Sequence, residues 1–240
     1  MNIMGDFIYK KAKPLPVILL LDTSGSMADG DHIGTLNRAV QEMLRDFRKA
    51  ANNEASISVA MITFCKEQAR VYQPLADVNE IDIDRVRLEA YGMTPMGDAI
   101  RTAKAMIEDK EQIPSRAYRP TVVLVSDGAP TDDWKSALDA FMAKDARSAK
   151  CYRMAMGIGV ERGTAEYDVL RQFVSSEEQV FEATDASEIS KFFQYVTIST
   201  TARTVSANPN LIPARADLSS TLNTKESEDD DDDLDGLLPF

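Results

Sequence analysis

The chain is poor in the residues that most metal, redox and acid–base chemistry uses. It holds one histidine, His32, and two cysteines, Cys65 and Cys151, in 240 residues. The cysteines form no zinc-ligand spacing and no disulfide framework, and the simplest reading is two free thiols in a reducing compartment. His32 stands alone beside a loop, where a solvated role is the expectation. No stretch approaches the ~20 apolar residues of a membrane span, and the start, MNIMGDFIYKKAKPLP, lacks the apolar centre of a signal peptide. The expected location is therefore the cytoplasm. The phosphate-binding pattern G-x-x-x-x-G-K-[ST] is missing, which argues against a P-loop nucleotide enzyme. Positive charge is also scarce. The 27 Lys and Arg face 39 Asp and Glu, a net charge of −12 that argues against nucleic acid and anionic membranes as partners. The imbalance is uneven: residues 204–240 hold nine acidic and two basic side chains, or −7, which leaves −5 for the rest.

Apolar residues, at 44%, are plentiful enough for a sizeable core. Pro14 and Pro16 lead into 17-VILLLD-22, apolar on both faces, as a covered parallel strand must be. In 33–50, Ile33, Leu36, Val40, Met43, Leu44 and Phe47 recur at helical spacing. Strands are expected at 56–64, 69–75, 121–127, 151–159 and 179–184. Helices are expected at 96–109, 132–144, 164–174 and 185–198. Pro74 places 69–75 at an end or an edge of the sheet. Such alternation implies an α/β three-layer sandwich, with a mostly parallel central sheet and helices on both faces. The expected organisation is an N-terminal extension at 1–13, one domain at 14–203, and a disordered acidic tail at 204–240.

Two of the buried runs end on a carboxylate, Asp22 and Asp127. In parallel sheets, ligands bind beyond the carboxyl ends of the strands. Ser24 and Ser26 follow Asp22 in 22-DTSGS-26, and Thr94 lies in 91-YGMTPMGDA-99 just before a helix. Two carboxylates and three hydroxyls form an all-oxygen set suited to a hard divalent cation, Mg²⁺ or Mn²⁺. With only two carboxylates, the ion would stay electrophilic towards a further anionic oxygen. Asp98, Asp132 and Asp133 read as helix-end residues.

These three pieces, D-T-S-G-S, G-M-T-P-M-G and V-S-D-G, resemble the von Willebrand factor A domain and its metal-ion-dependent adhesion site, over roughly residues 14–200. Within that family, 15-LPVILLLDTSGSM-27 and 126-SDGAPTDDW-134 look most like bacterial TerY-type tellurium-resistance proteins. The resemblance implies that Ser24, Ser26 and Thr94 face the cation, and that Asp22 and Asp127 bind it directly or through water. It also implies that a partner protein's Glu or Asp completes the coordination. A TerY-type role implies a stress-response complex, with kinase- or phosphatase-like neighbours. A Mg²⁺-dependent phosphohydrolase of the haloacid-dehalogenase type also begins with a strand ending in Asp. It needs a second Asp two residues later, where this chain has Ser24, so binding without catalysis is the expectation. The acidic run in 226-ESEDDDDDLDGLLPF-240 ends in Leu237, Leu238 and Phe240. It reads either as a solubilising tail, as a docking motif for a basic, grooved partner, or as a self-inhibitory ligand of the metal.

Overall fold

The computed structural model describes residues 12–50, 55–176 and 178–212. Most of the expected N-terminal extension lies outside the described residues. So does the expected docking motif with Leu237, Leu238 and Phe240.

The expected alternation is present. In chain order the elements are β1 (Lys13–Asp22), α1 (His32–Ala50), β2 (Ala55–Cys65), β3 (Gln68–Asp77), α2 (Met96–Glu108) and β4 (Thr121–Ser126). They continue as α3 (Trp134–Phe141), β5 (Tyr152–Ile158), α4 (Ala165–Phe173), β6 (Phe181–Ala183) and α5 (Ala186–Thr204). The sheet runs β3-β2-β1-β4-β5-β6. Every neighbouring pair is parallel except β2–β3, whose two-residue connection allows only an antiparallel hairpin.

β1 is central, which explains its uninterrupted apolar run: every residue from Leu15 to Asp22 is buried. Its side chains alternate between two cores. Val17, Leu19 and Leu21 pack beneath α1 and α5 with Leu36, Val40, Phe47, Phe192 and Val196. Ile18 and Leu20 face α2, α3 and α4 with Ile100, Ala103, Phe141 and Phe173. Removing one such large side chain from water contributes roughly 1.5–3 kcal/mol. The fold therefore rests on these two layers, and the loops at the strand ends are left free for other work.

Register sets those loops at one level. Leu21 pairs with Val125 on one side and Asp22 with Phe64 on the other. Asp22 and Ser126 thus emerge together at the carboxyl edge of the sheet.

Several boundaries differ from expectation by a few residues, and at two elements the cause is visible. α3 spans only Trp134–Phe141, because Asp133 caps it by accepting from the Ser136 amide. α5 runs on to Thr204 instead of stopping at Ile198. The reason is Arg203, which is 0% exposed although it is an arginine. Its Nε donates to the Pro209 carbonyl at 2.7 Å, one Nη to Thr121 Oγ1 at 2.8 Å and the other to the Arg119 carbonyl at 2.6 Å. The Asn210 side chain accepts from the Arg119 amide at 2.7 Å. Residues 205–212 are thereby folded back on the domain, so the packed chain extends past the expected boundary at 203.

Candidate functional site

Three loops meet at the carboxyl edge. The first follows β1 and starts with Thr23, whose amide still donates to the Phe64 carbonyl at 3.1 Å. The second carries Tyr91, Gly92 and Thr94 before α2. The third follows β4 with Asp127 and Gly128. The first two are joined by backbone: Tyr91 N donates to Thr23 O at 2.8 Å, and Gly25 N donates to Gly92 O at 3.0 Å. Gly92 has φ +82°, and a Cβ there would lie 2.7 Å from the Lys66 amide nitrogen. Both the left-handed backbone and the close approach require glycine.

Asp22 is 0% exposed. One carboxylate oxygen accepts from the Ser24 amide at 2.9 Å and the other from the Ser126 hydroxyl at 2.5 Å. Burial pushes this carboxyl up to about 6; the hydrogen bonds from Ser126 and Ser24 oppose that shift, and the nearby Asp127 charge adds to it. Asp127 accepts from Ser26 Oγ at 2.9 Å and lies 3.5 Å from Ser24 Oγ. The two serine hydroxyls are 3.2 Å apart. Burial raises the Asp127 carboxyl as well, against the pull of Ser26, Ser24 and the His32 imidazole. Thr94 is buried, and its carbonyl accepts from Met96 and Thr131. Its hydroxyl comes within 3.9 Å of where a Cβ on Gly128 would stand.

The five residues singled out in the sequence are therefore brought to one edge, although three loops carry them. Ser24, Ser26 and Asp127 are in mutual contact, Asp22 lies directly beneath, and Thr94 borders the third loop. All the donors are hard oxygens. Neither carboxylate forms an ion pair among the described residues, whose salt bridges all lie elsewhere. Two closely spaced, partly desolvated carboxylates with no ion pair among the described residues fit a cation.

Other residues do structural work that the sequence hid. Asp132 accepts from the amides of Gly97 and Asp98, both at 2.8 Å, so it caps α2 from a distant loop and holds Thr94 in place. Asp98 accepts from the Ala69 amide at 2.8 Å and ties α2 to the β2–β3 hairpin. His32 has a buried Nδ1 without a hydrogen-bond partner among the described residues. Ser126 was legible only as the residue before Asp127; nothing local marks it as the clamp on Asp22. Cys65 and Cys151 are free and buried, and burial pushes the Cys151 thiol up to about 12.

A family model for the von Willebrand factor type A domain matches residues 17–195. The chain belongs to this family. Among solved structures, the von Willebrand domain superposes on the pilus adhesin SpaC from Lactobacillus rhamnosus GG with a TM-score of 0.63. That match has 16% identity and covers 78% of this chain and 30% of the adhesin. The mussel byssus protein PTMP1, in a form whose adhesion motif holds zinc, gives a TM-score of 0.57 at 19% identity, covering 78% of this chain and 45% of the other. A von Willebrand factor type A protein from Catenulispora acidiphila gives 0.55 at 20% identity, covering 78% and 42%. These likenesses establish the fold. An uncharacterized protein of Mycobacterium tuberculosis is 32% identical over 116 residues, which is 48% of this chain and only 18% of the mycobacterial protein. The chain thus spans less than half the length of the mycobacterial relative and of the SpaC and PTMP1 structures.

Proposed function

We propose that this von Willebrand domain is a metal-dependent protein-binding module. Ser24, Ser26 and Thr94 supply hydroxyl oxygens to one Mg²⁺ or Mn²⁺, with Asp22 and Asp127 as the negative partners. The observation that carries this reading is the contact of Ser24, Ser26 and Asp127, drawn from two loops over a buried Asp22. A bound cation would supply an electrophilic centre, and so few protein charges leave it with affinity for a carboxylate from a partner's Glu or Asp. The mussel protein's zinc-occupied motif shows that the fold can hold a divalent ion.

The hydrolase alternative gains no support from the geometry. A phosphoryl-accepting carboxylate must be reachable, whereas both oxygens of Asp22 are buried and engaged. The second acid such chemistry needs is replaced by Ser24. The domain is accordingly read as non-catalytic.

The segments 15-LPVILLLDTSGSM-27 and 126-SDGAPTDDW-134 support a TerY-type role, in a cytoplasmic stress-response complex with kinase- or phosphatase-like partners. Among the described residues, no helix is long and apolar enough to cross a membrane.

The test is Mn²⁺ titration followed by paramagnetic resonance, paired with capture of host proteins in Mg²⁺ or in chelator. One modest-affinity site is expected, lost in Asp22→Ala, and capture should require the metal. Unchanged Mn²⁺ binding by Asp22→Ala would sink the assignment.

A further inference from the structure

At the opposite, amino edge of the sheet lies a hollow of about 400 Å³. Its apolar lining includes the buried Ile107 and Ile113, its basic lining is Arg119, Arg147 and Lys150, and no carboxylate is among the lining residues. Arg147 is fixed by the carbonyls of Ile107, at 2.6 Å, and Ile113, at 2.7 Å. Arg119 Nε donates to the Lys150 carbonyl at 2.6 Å. The nearby Glu108 carboxylate is turned onto the Ser148 amide and hydroxyl. Neither Arg119, Arg147 nor Lys150 forms an ion pair among the described residues. The hollow is thus apolar at its base and positive at its rim.

Asn210 stands on that rim, and the described chain ends two residues later at Ile212. The residues that follow have the complementary chemistry. Glu226, Glu228, Asp229–Asp233 and Asp235 are acidic, and Leu237, Leu238 and Phe240 are apolar. Thirteen residues, 213–225, separate the two parts. A coil of that length spans roughly 20 Å, enough to return to the rim from which it starts. Tethering at so short a span gives a high effective concentration, so weak contacts suffice.

We propose that the segment 226–240 docks on its own domain, in the hollow between Ile113 and Lys150. The acidic run meets Arg119, Arg147 and Lys150, and an apolar side chain from 237–240 enters the base. The basic, grooved partner expected for this segment is then the same chain, and the tail is held at the edge farthest from Asp22 and Asp127. This does not depend on the metal reading.

The test uses the full chain with Ser227→Cys carrying a nitroxide spin label; Cys65 and Cys151 are buried and are not expected to react. Amide signals of Ser115–Arg119 and Lys150 should lose intensity several-fold more than those of Ser24–Met27. Raised salt should remove that loss, and so should Ser115→Glu with Lys150→Glu. Both of those positions are exposed, so the melt of that variant should match the parent and separate lost docking from lost folding. Broadening centred on the Ser24 loop would overturn the proposal, as would uniform weak broadening. A loss seen when spin-labelled protein is mixed with separately isotope-enriched protein would place the segment on a second copy and would equally overturn it.

Discussion

The two edges of the sheet solve opposite electrostatic problems. At the amino edge, buried and half-buried cations are satisfied mostly by backbone. Arg203 donates to two carbonyls and a threonine hydroxyl, Arg147 to carbonyls at the end of α2, and Arg153 to the Phe173 carbonyl at 2.8 Å. Burial lowers the Arg203 guanidinium to about 10, yet it remains charged at neutral pH. At the carboxyl edge, buried anions are satisfied only by hydroxyls and an amide, and burial raises both carboxyls. Around Arg203 and Arg153 the first arrangement is closed: the donors are spent inside the fold. The second leaves two carboxylates without an ion pair among the described residues. That difference separates buried cations that hold the fold together from carboxylates placed to bind.

The comparison breaks most visibly if Arg203 is removed. Arg203→Ala leaves three acceptors unsatisfied and frees the 205–212 turn, so urea denaturation should show a loss of about 3–5 kcal/mol. Metal binding by the remaining folded protein should be little changed. Gly92→Ala comes next. Strain at φ +82° and the clash with Lys66 should cost about 1–3 kcal/mol. Because Gly92 precedes Thr94 and bonds Gly25, this variant should also weaken Mn²⁺ binding in the same titration. Ser24→Ala with Ser26→Ala sharpens the contrast. Among the described residues their hydroxyls meet each other and the carboxylates of Asp127 and Asp22, all at the site, so thermal melts should change by about 1 kcal/mol or less, while metal-dependent partner capture is lost. The smallest effect concerns the thiols. Cys151 is 0% exposed with its pKa pushed up to about 12, so native protein should not react there with a disulfide reagent, and urea should expose it. A native reaction at Cys151 would contradict the closed packing around the buried Arg203 and Arg153.

Much of this was readable from the chain because the relevant signals are local. The uninterrupted 17-VILLLD-22 run required two covered faces, and the spacing of Leu36, Val40, Met43 and Phe47 required a helix. Asp22, Ser24 and Ser26 were visible because they fall within five residues of one strand end. Thr94 and Asp127 could be added because each stands at an element boundary. What remained hidden depends on distant partners. Asp132 sits beside Asp133 and looks like a second cap for α3, but its acceptors serve Gly97 and Asp98. Arg203 stands at the expected end of the domain, five residues past the expected end of the last helix, and nothing nearby announces that Pro209 and Arg119 will enclose it. Strand order was likewise beyond local reading: β4 pairs with β1 only after α1, β2, β3 and α2 have intervened.

The paired backbone bonds between Thr23 and Tyr91 and between Gly25 and Gly92 have a consequence for motion. They make the serine loop and the threonine loop a two-rung continuation of the sheet. Neither loop can swing away alone, because moving one breaks both rungs and exposes two amides and two carbonyls together. Opening is therefore cooperative, with the two loops behaving as one unit of local unfolding. A ligand that favours the joined form stabilises both at once, and exchange of whatever is held between them proceeds through rare concerted openings of the pair.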